Sequence, residues 1–398
     1  MAMRRLNCAI LVLLAAIAPA HAAVVAITGV NVVSMVDERV DRDQTVLILD
    51  DRIVAIGPSS EIQIPIGAWT IDGSDRWLLP GLIDSHVHIR RADLSAYLAH
   101  GITTVRDLAG LDSVLDIAER IDRGELHGPR IITATMLING PNPRNPTFSV
   151  VIETAAGADA LVASQLARGC RFVKLYENLT LPIYDALIAA ARSRGAPIAG
   201  HVSVFVDVRH AMESQDSIEH LSGYERAVSR LSNAAGNDVG AWQNVDRSRY
   251  GELAQLSATT GVRNCPTLYV YGVLSNFNPA IIDNRRALVR ELHDHRAHLL
   301  AGTDAGYLVP AGSSLVDELN ELVASGLTAY DAIAAATRDA AAFLQLSDDI
   351  GTIEHGKIAD LVLLTNNPLE SIEALRAPAL TILHGTPLVE PRRRAARH

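Results

Sequence analysis

The sequence is poor in lysine. Among its 35 lysines and arginines only Lys174 and Lys357 are lysines, so any chemistry needing a side-chain amine falls on two positions. Arginine stays protonated and cannot be a nucleophile. Cysteine is scarce too. Cys8, Cys170 and Cys265 lack zinc-finger spacing, and nothing around the last two suggests a bridge rather than a pair of buried thiols. Aromatic residues make up 4% of the chain, so the core must be built from Ala, Leu, Val and Ile, as buried parallel strands usually are. The formal net charge of −10 argues against a nucleic-acid partner. Beyond the N-terminal stretch no apolar run has the length of a membrane span. Oligomeric state is open, and a homo-oligomer is compatible with all of this.

The N-terminal stretch reads as a secretory signal peptide over residues 1–22. Arg4 and Arg5 form a charged start, Ala9 to Ala18 a short apolar segment, and Ala20-His21-Ala22 a small-x-small cleavage site. Cys8 lies far from that site, so it is not a lipid-attachment cysteine. The expectation is an exported protein cleaved near Ala22, periplasmic in a two-membrane bacterium. The Arg392-Arg393-Arg394 run reads as a solvated tail.

What the chain has is an ordered alternation. Residues 24–78 read as short strands between Gly and Asp turns, which indicates antiparallel β structure. From residue 79 to 346 the pattern is strand, helix, strand, helix. Eight strands are expected: Leu82 to Val87, Ile102 to Arg106, Arg130 to Ala134, Phe172 to Leu175, Pro197 to His201, Ser217 to His220, Val262 to Leu268 and Leu299 to Thr303. Such alternation implies a parallel sheet with right-handed crossovers. The predicted fold class is therefore α/β, a (β/α)8 TIM-like barrel. The glycine- and proline-rich stretch Leu137 to Phe148 is expected to wall its mouth, and the segment after His220, through Gly240, to form a lid.

Chemistry-bearing residues end several of these strands. In Leu82-Ile83-Asp84-Ser85-His86-Val87-His88, the two histidines are two apart and point to one side of a strand. Neutral imidazole is the commonest metal ligand, yet His-x-His alone is a weak signal. Lys174, His201, His220 and Asp304 then fall at or near further strand ends, and on a barrel these ends form the active face. A lysine neutralised near metal ions can take up carbon dioxide as a carbamate, whose two oxygens can bridge two ions. The competing reading is a lysine snorkelling from a strand end. His293, His295 and His298 imitate a metal cluster but read as an exposed helix end.

These residues resemble the amidohydrolase superfamily, in particular its binuclear branch of Xaa-Pro dipeptidase-like and imidazolonepropionase-like hydrolases. The resemblance rests on Pro80-Gly81-Leu82-Ile83-Asp84-Ser85-His86-Val87-His88, Gly101-Ile102-Thr103-Thr104-Val105-Arg106-Asp107, Ser217-Ile218-Glu219-His220 and Ala301-Gly302-Thr303-Asp304-Ala305-Gly306. Ile350 to Val362 resembles the family's C-terminal signature. The resemblance implies that residues 24–78 and 347–390 build one small β-sandwich from both chain ends. It implies that His86, His88 and Asp304 hold one divalent ion, that His201 and His220 hold another, and that carboxylated Lys174 bridges them. Zinc suits this set of ligands. The implied activity is hydrolysis of an amide or peptide C–N bond in a small molecule of dipeptide or N-acyl amino acid type. A metal-bridging hydroxide would be the nucleophile and Asp304 the general base, then acid. Tyr224, Tyr269 and Tyr176 are candidate substrate contacts, and Glu318 is expected to support the loop after Asp304. The alternatives are a mononuclear deaminase or cyclic amidase, and an esterase, lactonase or phosphotriesterase on the same residues. A binding protein on a decayed barrel is disfavoured, since decay should remove a ligand and all six are present.

Overall fold

The structure is a computed structural model that describes residues 24–230 and 239–388. The signal-peptide segment, the arginine tail and residues 231–238 of the expected lid lie outside the described residues.

All eight expected α/β strands form, most of them shorter than the apolar runs that announced them. Leu82–Val87, Ile102–Asp107 and Arg130–Thr133 make one three-stranded parallel sheet. Val173–Leu175, Ile198–Gly200, Ser217–Glu219, Arg263–Cys265 and His298–Leu299 follow one another in a seven-stranded parallel sheet. Each edge of the short sheet meets a segment of the long one through an isolated parallel bridge: Ala134 to Phe172, just before Val173–Leu175, and Val87 to Ala305, beyond the end of His298–Leu299. Helices such as Asp112–Asp122, Leu181–Arg192 and Tyr250–Thr260 connect the strands. One continuous apolar cluster fills the space between strands and helices, from Leu82 and Val105 through Val173 and Ile198 to Leu299 and Ala301.

Four sequence expectations change. The seventh strand stops at Cys265, because Leu268–Leu274 turns helical after Thr267 takes a left-handed conformation (φ 48°). Residues 137–148 are not only loop: Leu137–Asn139 is a strand of the long sheet, and Ser149–Val151, just after the stretch, is another. Both chain ends do share one β unit, but its ladders form a single continuous eight-stranded sheet, not two hydrogen-bonded layers. Leu361–Leu364 pairs antiparallel with Trp77–Pro80, while Val24–Val32 pairs parallel with Trp69–Asp72, which the antiparallel reading missed. Among the described residues no helix is long and apolar enough to cross a membrane.

Candidate metal centre

The strand ends bring the six side chains of the sequence reading to one cavity. His86, His88, Lys174, His201, His220 and Asp304 all line a pocket of about 400 Å³. The ligand atoms of His86, His220 and Asp304 lie within 4.8 Å of one another. His88 Nε2 is 2.9 Å from Asp304 Oδ1, and His86 Nε2 is 3.4 Å from the same oxygen. The imidazoles of His201 and His220 face each other edge-on, with ring centres 4.7 Å apart.

Backbone conformation aims these groups. His220 (φ 63°), directly after the strand Ser217–Glu219, and Asp304 (φ 59°), five residues past His298–Leu299, are left-handed non-glycine residues. Each such residue costs roughly 1–3 kcal/mol and persists where surrounding bonds impose it. Those bonds are present: the His220 N–H donates to Cys265 O at 2.8 Å, and the Asp304 N–H to His86 O at 2.8 Å. Glycine permits the close approaches. A Cβ on Gly302 would lie 2.5 Å from Cys265 Sγ and 2.8 Å from the His86 Cβ.

A second layer fixes three of the rings. His86 Nδ1 is 2.8 Å from Glu219 Oε2, and His220 Nδ1 is 2.8 Å from Thr267 Oγ1. His201 Nδ1 lies 3.4 Å from Glu177 Oε1. With Nδ1 occupied, Nε2 of each ring is left to face the cavity, as metal-ligating histidines require. Glu219 is itself held by Arg106 at 2.8 Å and Ser217 at 2.6 Å, all fully buried. The sequence reading gave Glu219, Arg106, Thr267 and Glu177 no role. Glu219 and Arg106 stood inside the quoted motifs, but only the fold shows that they meet. Arg106→Met leaves the Glu219 carboxylate buried without its cation. It should destabilise the protein by ~3–5 kcal/mol, read as a lowered denaturation midpoint.

Protonation matches a ligand set. Burial pushes His86 and His220 well below the ordinary imidazole value and lowers His201 as well, so all three rings are neutral near pH 7. Burial alone would raise Asp304, but its bond to His88 and the nearby His86 and Lys174 outweigh it and hold the carboxyl below its usual range. Burial brings Lys174 down to about 8. Its Nζ is buried without any hydrogen-bond partner, and so is His86 Nε2. An ammonium there would have none of the partners that a buried charge needs. Two unsatisfied nitrogens and an anionic carboxylate converging on one cavity fit divalent ions and a modified amine better than the bare side chains.

The proposed substrate contacts divide. Tyr176 lines the cavity, its hydroxyl accepting from Asn145 Nδ2 at 3.1 Å. Tyr224 does not: the αL turn at Gly223 sends it inward, where its hydroxyl donates to Asn264 Oδ1 at 2.7 Å. Tyr269 also misses the cavity, because the short helix from Leu268 points it towards Phe277 while Tyr271 takes the wall position. Glu318 accepts from the Tyr269 N–H at 2.8 Å, so it braces that helix rather than the loop after Asp304. The expected mouth loop does contribute Leu137, Asn145 and Phe148. His293 and His295 sit at the end of helix Pro279–Asp294, and His298 opens the last strand, away from its Asp304 end.

Comparison with known proteins agrees with this geometry. The model of the amidohydrolase family matches residues 77–388. The chain belongs to the amidohydrolase family. It is similar to an adenine deaminase of Bradyrhizobium sp. strain ORS 278, 25% identical over 364 residues, covering 85% of this chain and 54% of that one. The chain thus spans about half the length of the curated deaminases it matches. A Bifidobacterium longum structure assigned as a prolidase has a TM-score of 0.74 and 25% identity, covering 93% of this chain and 95% of its own. A Xaa-Pro dipeptidase with methionine bound in its active site also reaches 0.74, at 22% identity, covering 92% of this chain and 100% of that one. At that identity the likeness is one of fold. These neighbours imply a TIM-barrel-like arrangement for this amidohydrolase-family enzyme.

Proposed function

We propose that the protein is a binuclear metal-dependent hydrolase that cleaves an amide-type C–N bond in a small molecule, on a closed (β/α)8 barrel. The observation that carries this reading is the buried, partnerless Lys174 amine in a cavity shared with four histidines and Asp304. The bridges at both edges of the short sheet support closure of the barrel.

On this reading His86, His88 and Asp304 would hold one ion and His201 and His220 the other, with carboxylated Lys174 as a further ligand and zinc as the metal. Bound divalent ions would acidify water and polarise the scissile carbonyl. The chain supplies the rest. Asp304, kept deprotonated by its histidine neighbours, accepts a proton from the attacking water and delivers it to the leaving nitrogen, which departs poorly unless protonated. Glu219, Thr267 and Glu177 keep the imidazoles in one tautomer and orientation. The burial of His86, Lys174, His201 and His220 keeps bulk water from competing for these side chains. Cleavage of the leader, and with it export, belongs to the same proposal.

Deamination is the second reading, favoured by the adenine deaminase relatives. Incubating the purified protein with dipeptides, N-acyl compounds and adenine separates the two. Release of an amine or amino acid supports the first reading, and release of ammonia from adenine alone supports the second.

Lysine carboxylation requires the neutral amine. With Lys174 near 8, the neutral fraction rises with pH through that value and is small at pH 6.5. Metal-stripped protein given zinc and bicarbonate should therefore recover activity faster at pH 8.5 than at pH 6.5. Equal recovery rates would remove the amine from the loading step.

A further inference from the structure

The geometry points to a neutral, apolar substrate, recognised through an aryl or alkyl group rather than a carboxylate, a conclusion that rests on reading the site as that of an amide hydrolase. The inference comes from the wall of the cavity above the six polar side chains. That wall is built from Leu137, Phe148, Tyr176, Tyr271, Leu274, Tyr307 and Leu308. Phe148 packs edge-on against Tyr307 with ring centres 5.6 Å apart, and Tyr307 reaches back to within 6.0 Å of the His88 ring. A continuous aromatic face thus runs from the rim to the base. At the rim, Tyr307 is 60% exposed, Leu308 55% and Leu274 46%. Apolar side chains left in water around a concave opening lose that water when an apolar group enters, which favours binding of that group.

The cations are equally informative. A dipeptide or N-acyl amino acid brings a free carboxylate, and a site that selects one needs a cation or several donors aimed at it. Among the described residues, Lys174 is the only lysine or arginine lining the cavity, and it sits at the base with the histidines. The arginines on the neighbouring segments do not line the cavity. Arg90 pairs with Asp93 at 2.6 Å, and Arg144 lies 3.7 Å from Glu177. Arg226 pairs with Glu225 and donates to the carbonyls of Val202, Ser203 and Val206. Arg285 is fully buried behind the Tyr271 ring, 3.7 Å from its centre, and donates to the carbonyls of His220 and Pro266. Residues 231–238 contain no lysine or arginine. A carboxylate brought against Phe148 and Leu308 would lose hydration without gaining a cation, which is costly.

The test compares N-phenylacetylglycinamide with N-phenylacetylglycine, which differ by one remote charge, on the zinc-loaded full chain. The neutral member should have the higher kcat/KM by roughly tenfold or more, the equivalent of at least ~1.4 kcal/mol. Tyr307→Arg, at a rim position outside the reacting groups, should narrow or reverse that ratio by raising turnover of the anionic member. Equal or better hydrolysis of the anionic member by wild type overturns the inference. Binding of 2-acetamidonaphthalene and its 6-carboxylate, followed by fluorescence, gives the same comparison without turnover. Tighter binding of the neutral probe with no hydrolysis of either glycine derivative would sink the hydrolase reading and leave the apolar-ligand inference standing. Equal or tighter binding of the carboxylate sinks the inference itself.

Discussion

Asp304→Asn should lower kcat on an amide by roughly 10²–10⁴-fold, the usual span for a lost general base. Asparagine nearly matches the volume and keeps one acceptor oxygen for His88, now 2.9 Å away, so the fold should survive. What it loses is the basic carboxylate, which its histidine neighbours hold deprotonated at neutral pH. The loss should depend on the leaving group. An amine needs a proton to depart, whereas a phenolate does not. Steady-state kinetics on an amide and a matched phenyl ester should therefore show a smaller deficit on the ester. Equal deficits on both would mean that Asp304 serves only as a ligand, with the proton carried by another group.

Lys174→Ala should abolish activity, by roughly a thousandfold or more, without weakening the fold. The two halves of this expectation come from different physics. The amine is buried and partnerless, so its removal relieves a desolvation cost and leaves only a small apolar gap. A lysine kept purely for packing would behave in the opposite way: stability would fall and activity would persist. Acetate or propionate can enter the vacated space and supply two anionic oxygens, so millimolar amounts should restore part of the activity. Lys174→Arg should be inactive and not rescued, because its guanidinium fills the space with a fixed positive charge.

Much of this site was legible in the sequence because its parts obey simple periodicities. His86 and His88 share a face through the two-residue repeat of a strand. Lys174, His201, His220 and Asp304 each close or nearly close an apolar run of the kind that a buried parallel strand requires. What was not legible lay between elements. Nothing local links Arg106 to Glu219, which are adjacent only because their strands end at the same face. Tyr224, four residues after His220, looked able to reach the substrate. Gly223, left-handed at φ 85°, turns the chain so that the ring is buried instead. Tyr269 and Tyr271 were indistinguishable as sequence. The helical turn begun at Leu268 exposes Tyr271 to the cavity and gives the Tyr269 N–H to Glu318. The same kind of local handedness ended the seventh strand at Cys265, three residues before its apolar run stopped.

Whether Lys174 joins two ions in one site is read from the metal content per chain. The protein would be purified without chelators, with zinc and bicarbonate present, and assayed by elemental analysis beside Lys174→Ala. About two ions per wild-type chain are expected, as paired-ion hydrolytic sites hold, and one or fewer in the variant. One ion per wild-type chain, unchanged in Lys174→Ala, would contradict the paired site and move the search to mononuclear deaminase chemistry.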